Sequence, residues 1–478
     1  MNQILRFLVL YGGTVIGLAK ILQLIYLFQV KEYRFDRFIV SLQENGGISY
    51  LYQIDPRFPA KSIRNLLVAI ISLCLLAFIL FYMQSASFLL LLLFLLTSPV
   101  ISFLLVSVGV LLTEILARIK RALIIRDAEE FLQNKKVVGI GITGSYGKST
   151  TKEYLSHILS QKFKVAKTDE NMNTDVGIAM SVLKNVTAET EFFIAEVGAY
   201  TEGEIRRACK VIQPFYAILT AIGNQHLDLF GSKEKLILAK KELLEEVPPN
   251  GRIYLNADID DKSVLVRSIK TKIVLYSAKK QADISVSKKG SQYALRYKRN
   301  VVSFPVPSHV PYALETLLPC IGLALDLGMN PEQIEKSLGS LPVLKEKLSR
   351  SKGIRKAVII RDTANSSVEG FLAALEPLAN TKQSKRIAVS KGIIELGEEK
   401  ESSYKRILDQ LHKKKIALYT TDPVFKTLDI EETVAYFKNE QLLAIDLIKN
   451  IDSKTAVLLE GRFSPSFIAK LEPEGSLK

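Results

Sequence analysis

The sequence predicts an α/β protein with N-terminal transmembrane helices, a central domain with a mostly parallel sheet, and a C-terminal Rossmann-like α/β domain. Long apolar runs occur before residue 126, and a glycine-rich loop joins an apolar run to a helical pattern near residue 145. Short apolar runs then alternate with helical patterns to the end. The 478 residues allow about three domains, which we place at 1–126, 127–342 and 343–478.

The membrane prediction depends on three apolar runs. Two of them, 66–83 and 88–112, carry no charge and are long enough to cross a hydrocarbon core of about 30 Å. The third, 4–30, contains Arg6 and Lys20, so we expect Lys20 to snorkel or to find a partner. A cleavable signal peptide is the alternative for this run, although no small-x-small cleavage site precedes Lys31.

Basic residues predict the orientation of these spans. The segment 84–87 carries no charge and can lie outside, whereas 31–64 and the segment after the last span are rich in basic residues. These are Lys31, Arg34, Arg37, Arg57, Lys61, Arg64, Arg118, Lys120, Arg121 and Arg126. We therefore expect a multi-pass protein of the cytoplasmic (inner) membrane, with an outside N-terminus, three spans and cytoplasmic catalytic domains.

Charge and cysteine content narrow the class of protein. The net charge of +15 fits cytoplasmic membrane flanks and acidic ligands such as nucleotides or phospholipid surfaces. Without a basic patch interleaved with aromatic residues, we expect no nucleic-acid partner. Cys74, Cys209 and Cys320 are far apart and form no C-x-x-C, so we predict neither a disulfide framework nor a zinc site.

The strands and helices of the α/β region follow from the alternation of apolar runs. In the central domain we predict strands at 137–142, 191–196, 216–221 and 252–256, with helices at 151–159 and 233–246. After a boundary near 341–347, which follows a helix at 331–338, we predict strands at 357–360, 386–389 and 456–459, with helices at 368–378 and 402–412.

The glycine-rich loop at 141–153 has the features of a nucleotide phosphate site. Gly144 and Gly147 allow successive backbone N–H groups to converge on one anion. Lys148 adds a positive charge for the outer phosphates, and the Ser149 hydroxyl suits Mg²⁺. The spacing is G-x-x-G-x-x-G-K-S-T rather than the usual G-x-x-x-x-G-K-[ST]. We predict a P-loop that binds ATP and Mg²⁺, the alternative being a Gly/Ser turn that binds nothing.

Three polar residues follow the loop. Glu196 ends an apolar strand and would face the ligand crevice of a parallel sheet, where Mg²⁺ is its natural partner. His226 also follows a strand, although a lone histidine is more often structural. Lys240 lies on a polar helix and would by itself be interpreted as solvated surface.

Four blocks of sequence resemble the Mur ligase superfamily, most closely its D-alanyl-D-alanine-adding branch. They are the loop at 143–153, the Asn-rich turn at 171–177, the acidic block at 195–199, and the block from His226 to Glu242. Their order and spacing agree with the family, and the resemblance extends from about residue 137 to the C-terminus. It implies an ATP-dependent ligase that forms an amide bond through an acyl phosphate.

The resemblance also implies residue roles. The ATP site comprises Thr143, Gly144, Ser145, Tyr146, Gly147, Lys148, Ser149, Thr150 and, for the ribose, Asp362. The substrate residues are Asn171, Asn173 and Asn365. Ser149 and Glu196 would bind one Mg²⁺, and His226 with a carbamylated Lys240 would help to bind a second. Lys148, Lys240 and His226 are the predicted catalytic residues.

The chain departs from the family pattern at both ends. In the C-terminal domain Arg361 replaces an acid and Ala364 a tyrosine, Lys347 stands for an arginine, and Glu460 stands where a lysine is usual. At the N-terminus, apolar segments replace the usual UDP-binding domain. We therefore expect an acceptor that is lipid-linked or presented at the inner leaflet.

These observations predict a membrane-anchored ligase of envelope-precursor synthesis that adds an amino acid or dipeptide to a carboxylate acceptor resembling a muropeptide. One alternative is a folylpolyglutamate-synthase-like or other peptide-extending ligase of the same fold. Another is a catalytically weakened membrane scaffold, which the changes at Arg361, Ala364 and Glu460 favour and the intact loop disfavours.

Overall fold

The computed structural model divides the chain into two compact units, Met1–Ile124 and Ile125–Lys478. It describes residues 3–44, 46–53, 57–223, 230–290, 292–305, 313–342, 344, 347–363, 366–393 and 396–472. The first unit is helical, whereas the second contains two β-sheets flanked by helices.

Among its described residues, the first unit contains three helices that are long and apolar enough to cross a membrane. Its helices are α1 (Gln3–Val30), α2 (Phe35–Glu44), α3 (Ser49–Tyr52), α4 (Ile63–Met83) and α5 (Phe88–Lys135), of which α1, α4 and α5 are the three candidate spans. The prediction of three apolar helices is thus confirmed. Helix α5 extends far beyond the predicted run and continues into the second unit.

Small and polar residues bring the three long helices together. Gly109 of α5 faces Val68 of α4, where an added Cβ would lie 3.1 Å from the Val68 carbonyl oxygen. Ser102 of α5 donates to the carbonyl of Gly17 in α1 at 3.1 Å. Lys20 is buried, as the expectation of a partner requires, and its ammonium donates to Gln23 Oε1 at 2.8 Å. Close packing and hydrogen bonds of this kind hold apolar helices together in a lipid bilayer, where the hydrophobic effect contributes little to helix association.

A nine-stranded sheet forms the first half of the second unit, in the order β2-β3-β1-β4-β5-β6-β7-β8-β9. Its strands are β1 (Val138–Thr143), β2 (Val165–Lys167), β3 (Phe192–Glu196), β4 (Pro214–Leu219), β5 (Arg252–Asn256), β6 (Lys272–Ser277), β7 (Ile284–Lys289), β8 (Gln292–Tyr297) and β9 (Asn300–Phe304). Pairing is parallel from β2 to β7 and antiparallel at β8 and β9. The predicted parallel sheet is confirmed, and the antiparallel extension was not predicted.

Helices cover this sheet and bury its apolar strands. They are α6 (Lys148–Leu159), α7 (Asp175–Asn185), α8 (Glu204–Ile212), α9 (Lys233–Glu245), α10 (Lys262–Val266), α11 (Ala313–Asp326) and α12 (Pro331–Leu338). Ile140 and Ile142 of β1 are fully buried in a cluster with residues of α6 and α11. Strand β1 lies between β3 and β4, so the carboxyl ends of the three strands meet at one edge, where ligands bind in open α/β sheets.

The second sheet has six strands in the order β10-β11-β15-β12-β13-β14. They are β10 (Lys347–Lys352), β11 (Val358–Asp362), β12 (Lys385–Ser390), β13 (Ala417–Thr420), β14 (Val434–Tyr436) and β15 (Thr455–Glu460). The helices are α13 (Val368–Ala379), α14 (Lys400–Lys414), α15 (Pro423–Leu428), α16 (Glu440–Asn450) and α17 (Pro465–Leu471). Among the strands described for this sheet, only β10 pairs antiparallel, so β11, β15 and β12 also end together.

Candidate active site at the glycine loop

The loop between β1 and α6 requires glycine at two positions. Gly144 has a φ of +150° and Gly147 a φ of +80°, conformations that disfavour other residues. A Cβ on Gly144 would also lie 2.0 Å from Thr220 Oγ1. The predicted roles of these glycines in shaping the loop therefore have a direct steric basis.

Hydrogen bonds fix the other residues of the loop. Thr143 donates to the carbonyl of Val197 at 3.0 Å, and the Ser145 hydroxyl accepts from the backbone N–H of Gly223 at 2.9 Å. The carbonyl of Tyr146 accepts from Thr220 Oγ1. These bonds tie the loop to the segments that follow β3 and β4, so its backbone is held in place before any ligand binds.

Lys148 is the first residue of α6, so its charge lies at the positive end of the helix dipole. Its ammonium donates to the carbonyl of Gly144 at 2.8 Å, across the loop. Burial lowers the pKa of Lys148, and the charge of Lys347 lowers it further, although the carboxylate of Glu196 opposes both effects. A positive helix end and a partly buried lysine at one loop favour a bound anion.

Glu196 ends β3 directly opposite Ile142 of β1 and is 6% exposed. Burial alone would raise its pKa, but the charges of Lys148, Lys347 and Lys152 and a hydrogen bond from Ser149 leave that pKa below its usual range. Glu196 therefore stays ionised beside the loop. The Ser149 hydroxyl thus lies within hydrogen-bonding distance of the Glu196 carboxylate, and their predicted role as Mg²⁺ ligands stays a prediction.

Lys240 is buried in α9, contrary to the interpretation of an isolated helical lysine as solvated surface. It is 5% exposed, and burial together with the charge of Lys148 lowers its pKa well below the usual value. A buried lysine near another cation readily loses its proton, which makes the amine nucleophilic.

Lys152 and Thr168 form a contact that sequence patterns did not reveal. Lys152 is 1% exposed and donates to the carbonyl of Thr168 at 2.8 Å. The hydroxyl of Thr168 in turn accepts from the backbone N–H of Glu196 at 3.1 Å. The only sequence signal is the position of Lys152 one turn after Lys148, which is ordinary for an exposed helical lysine.

The second sheet contributes Lys347 and Asp362, which are paired across β10 and β11. The charges of Glu196 and Asp362 both act on Lys347, whose pKa is nevertheless lowered because burial outweighs them. Lys347 therefore interacts electrostatically with both Lys148 of the glycine loop and Asp362. Asp362 itself is 6% exposed at the end of β11.

The predicted substrate residues are placed in part. Asn173 packs against the turn after Glu196, where its backbone carbonyl accepts from Gly198 N at 2.9 Å. Asn171 is exposed and has a φ of +61°. His226 and Asn365 lie outside the described residues, so their predicted roles stay predictions.

Oxygen donors at the loop suit Mg²⁺. Glu196 and Ser149 supply a carboxylate and a hydroxyl, which are hard ligands that Mg²⁺ prefers. The Thr150 hydroxyl is buried and has no hydrogen-bond partner among the described residues, so it retains capacity for a ligand. The same part of the chain contains no cluster of three or more His, Cys, Asp or Glu side chains able to hold a metal alone. A site here would therefore depend on the nucleotide or on a modified side chain for further oxygen ligands.

Comparison with known proteins shows what this region is similar to. Residues 142–315 match the Mur ligase middle domain. The UDP-N-acetylmuramoyl-tripeptide–D-alanyl-D-alanine ligase of Synechocystis sp. is 30% identical over 272 residues, which cover 56% of this chain and 58% of the relative. The Bacillus subtilis enzyme of the same name is 27% identical over 284 residues, covering 58% and 61%. The chain thus spans about three fifths of the length of these relatives.

Solved structures confirm the fold of the second unit. MurF from Acinetobacter baumannii aligns with a TM-score of 0.66 at 23% identity, covering 73% of this chain and 80% of that one. MurF from Thermotoga maritima in complex with ADP aligns with a TM-score of 0.62 at 23% identity, covering 73% and 81%. Residues 142–315 therefore match the Mur ligase middle domain, and the chain has a MurF-like α/β fold.

Proposed function

We propose that this chain is a membrane-anchored, ATP- and Mg²⁺-dependent ligase that joins an amine to a carboxylate during synthesis of a peptidoglycan precursor. The observation that carries this proposal is the group formed at the glycine loop by the partly buried Lys148 and the buried Glu196 and Lys240. The names of the relatives, which are UDP-N-acetylmuramoyl-tripeptide–D-alanyl-D-alanine ligases, support the reaction class.

The loop residues would hold the nucleotide. Backbone N–H groups at 144–149 and the Lys148 ammonium would bind the outer phosphates, and the Thr150 hydroxyl is free to accept or donate there. Lys347 would add a second cation, and Asp362 would bind the ribose. When bound to Ser149 and Glu196, Mg²⁺ would neutralise phosphate charge.

Lys240 would become a metal ligand by carbamylation. Its lowered pKa leaves the amine partly neutral, and a neutral amine can attack CO₂ to form a carbamate with loss of a proton. The product is an anion with two oxygen atoms, which suits Mg²⁺ and relieves the repulsion between Lys240 and Lys148. His226 would help to bind the same ion.

The residues act on the reaction mainly by positioning and charge. Lys148 stabilises the negative charge that develops on the γ-phosphoryl oxygens as an acceptor carboxylate oxygen displaces ADP. The neutral amine of the second substrate then attacks the acyl carbon, phosphate leaves, and the amine loses a proton to give the amide. Asn173, beside the Glu196 turn, would orient the acceptor carboxylate.

The N-terminal unit would anchor the enzyme and alter its choice of acceptor. Helices α1, α4 and α5 would span the inner membrane, with the second unit in the cytoplasm, where ATP is available. Because apolar helices stand where the Mur ligases usually have a UDP-binding domain, we infer that the acceptor is a lipid-linked muropeptide-like precursor.

Release of ADP tests the reaction. We would measure it with the full chain in detergent or nanodiscs, supplying D-alanyl-D-alanine or single amino acids with lipid-linked or soluble acceptors. We expect Lys148→Ala and Lys240→Ala to lower turnover by about 100-fold or more, since each removes charge stabilisation from the transition state. The exposed Lys210→Ala on α8 is the control.

Equal turnover by the three variants and the wild type would contradict the ligase mechanism. Equal use of a soluble UDP-linked acceptor and the lipid-linked one would contradict only the inference about the acceptor. Turnover with glutamate and a folate acceptor alone would replace the assignment to peptidoglycan synthesis.

A further inference from the structure

The start of α4 and the second half of α5 hold a cluster of arginines that the proposed reaction does not use. Helix α4 has 21 residues, about 31 Å at 1.5 Å per residue, and so crosses a hydrocarbon core of about 30 Å from end to end. Arg64 therefore lies at its membrane boundary. A span of the same length from the start of α5 ends near residue 108, which places Glu114 about 9 Å beyond the core, at the level of the lipid headgroups.

Three guanidinium groups converge on one carboxylate at this level. Arg64 donates to Glu114 Oε2 at 2.6 Å, and Arg118 donates to Glu114 Oε1 at 3.1 Å. Arg121 lies 3.8 Å from the same Oε1 atom. A single negative charge is thus shared by three positive charges, which leaves an excess of positive charge at one point.

Aromatic and amide side chains hold Arg64, one member of the cluster, in place. The Arg64 guanidinium lies 3.9 Å from the centre of the Tyr33 ring, and its Nε atom is buried with no hydrogen-bond partner among the described residues. Tyr33 in turn donates to Asn65 Oδ1 at 2.6 Å, and Asn65 donates to Gln29 Oε1 at 2.9 Å. This network holds Arg64 in one orientation, whereas the side chains of Arg118 and Arg121 are 76% and 43% exposed.

Membrane topology alone does not account for this arrangement. Basic residues that fix orientation need only lie on the cytoplasmic flank, and they need not converge. Arg126, further along α5, illustrates the ordinary case: it pairs with Asp127 and Glu130 on its own helix, one cation with two nearby anions. The cluster at Glu114 instead has three cations around one anion, and one of these cations, Arg64, belongs to a second helix.

We propose that Arg64, Arg118 and Arg121 bind the phosphate groups of a lipid in the inner leaflet, specifically the diphosphate of a polyprenyl-linked acceptor. Guanidinium groups bind phosphate oxygens through paired hydrogen bonds, and a preorganised, half-buried arginine loses less entropy on binding. The exposed faces of Arg118 and Arg121 leave room for such a headgroup. This inference rests on the proposed membrane insertion and lipid-linked acceptor.

Binding of a prenyl diphosphate, measured without ATP, tests the proposal. We would reconstitute the full chain in phosphatidylcholine nanodiscs and titrate it with farnesyl diphosphate, farnesol and inorganic pyrophosphate. The wild type should bind farnesyl diphosphate, and the double variant Arg118→Gln/Arg121→Gln should bind it roughly tenfold or more weakly, since two charge-assisted contacts are lost. Arg64→Gln should weaken binding similarly, and Arg126→Gln is the matched control on the same helix.

Each other outcome overturns the proposal. Equal affinity of the double variant and the wild type, or equal binding of farnesol, would show that the arginines do not bind phosphate. Equal affinity for inorganic pyrophosphate would assign the site to free phosphates instead of a lipid. Because Arg118 and Arg121 are exposed, the double variant tests the site even if Arg64→Gln impairs folding. Lys148→Ala should lose ADP release yet bind farnesyl diphosphate normally, which separates this proposal from the ligase mechanism.

Discussion

The two sheets of the second unit carry buried carboxyl groups at equivalent positions, with opposite electrostatics. Glu196 ends β3 among lysines, and their charges hold its pKa below the usual range. Glu460 ends β15 and is fully buried, and burial followed by the charge of Asp362 raises its pKa well above the usual value. One edge therefore holds an anion among cations, and the other holds a neutral acid beside a carboxylate.

This difference shows that similar topology does not imply similar chemistry. Both edges are carboxyl ends of parallel strands, where ligands commonly bind. Of the two, the first edge has an ionised carboxylate surrounded by lysines, an arrangement that suits phosphates and Mg²⁺. At the second edge the residue that replaces the usual lysine forms a hydrogen bond with Ser366 Oγ at 3.3 Å. The function therefore follows from the residues at each edge, not from the fold.

The largest effect is expected for Glu196→Gln. The substitution removes the anion that faces Lys148, Lys152 and Lys347, and it also removes a proposed Mg²⁺ ligand. We expect the free energy of unfolding to fall by about 3 kcal/mol, as when one partner of a buried ion pair is lost, and ADP release to fall by about 100-fold. Chemical denaturation and the ADP assay would measure the two effects, with the exposed Glu189→Gln as control. Unchanged stability would mean that the Glu196 carboxylate does not offset the positive charge of these lysines.

Lys152→Met should have the next largest effect. Without the ammonium, the buried carbonyl of Thr168 loses its donor, which we expect to cost about 2 kcal/mol of stability. Since Thr168 also holds the backbone of Glu196, the variant should need more Mg²⁺ for half-maximal ADP release. Lys210→Met on the surface of α8 should change stability by no more than about 0.5 kcal/mol. An equal effect of the two substitutions would show that Lys152 does not support the first edge.

The strands and the loop at the carboxyl edge of the first sheet could be predicted from the sequence, but the contacts that support them could not. Apolar runs and glycine positions depend on local rules, so β1, the loop and the strand that ends at Glu196 were predictable. Burial of Lys152 and Lys240 was not, because a lysine on a helix carries no local sign of what will pack over it. Lys347 reaches the loop from the second sheet, a long-range contact that only tertiary structure defines.

The same limit applies to the ends of both sheets. Strands β7 and β8 do not alternate regularly between buried and exposed residues, so they gave little periodic signal of the antiparallel extension. The short strand β9 does alternate. Glu460 was recognised as a departure from the family pattern, but its burial beside Asp362 depends on two strands that are distant in sequence.

Dependence on pH should distinguish the two edges. The folded state keeps a proton on Glu460 that the unfolded chain releases above its ordinary pKa of 4.5. Stability should therefore fall as pH rises from 4.5 toward the raised pKa, by up to about 1.4 kcal/mol per pH unit. Glu196 acts in the opposite sense: its contribution is present above pH 4.5 and is lost as pH falls through its lowered pKa.

Glu460→Gln would isolate the contribution of the second edge. Denaturation between about pH 5 and pH 8 should show the variant gaining stability relative to the wild type as pH rises, because it no longer titrates. Parallel pH profiles of the two proteins would indicate that Glu460 is ionised in the folded state.

The smallest effect is expected for Arg361→Ala, at another departure from the family pattern. Arg361 Nε lies 3.2 Å from Glu472 Oε2, and the two side chains are 14% and 6% exposed. Loss of this largely buried pair should lower stability by about 1.5 kcal/mol. Arg350→Ala, at an exposed position on β10, should cost less than about 0.5 kcal/mol. Because Arg361 faces Glu472, ADP release should change less than about twofold. A loss of turnover at unchanged stability would instead place Arg361 in the reaction, and the second edge would then contribute to chemistry through a residue that the family pattern does not contain.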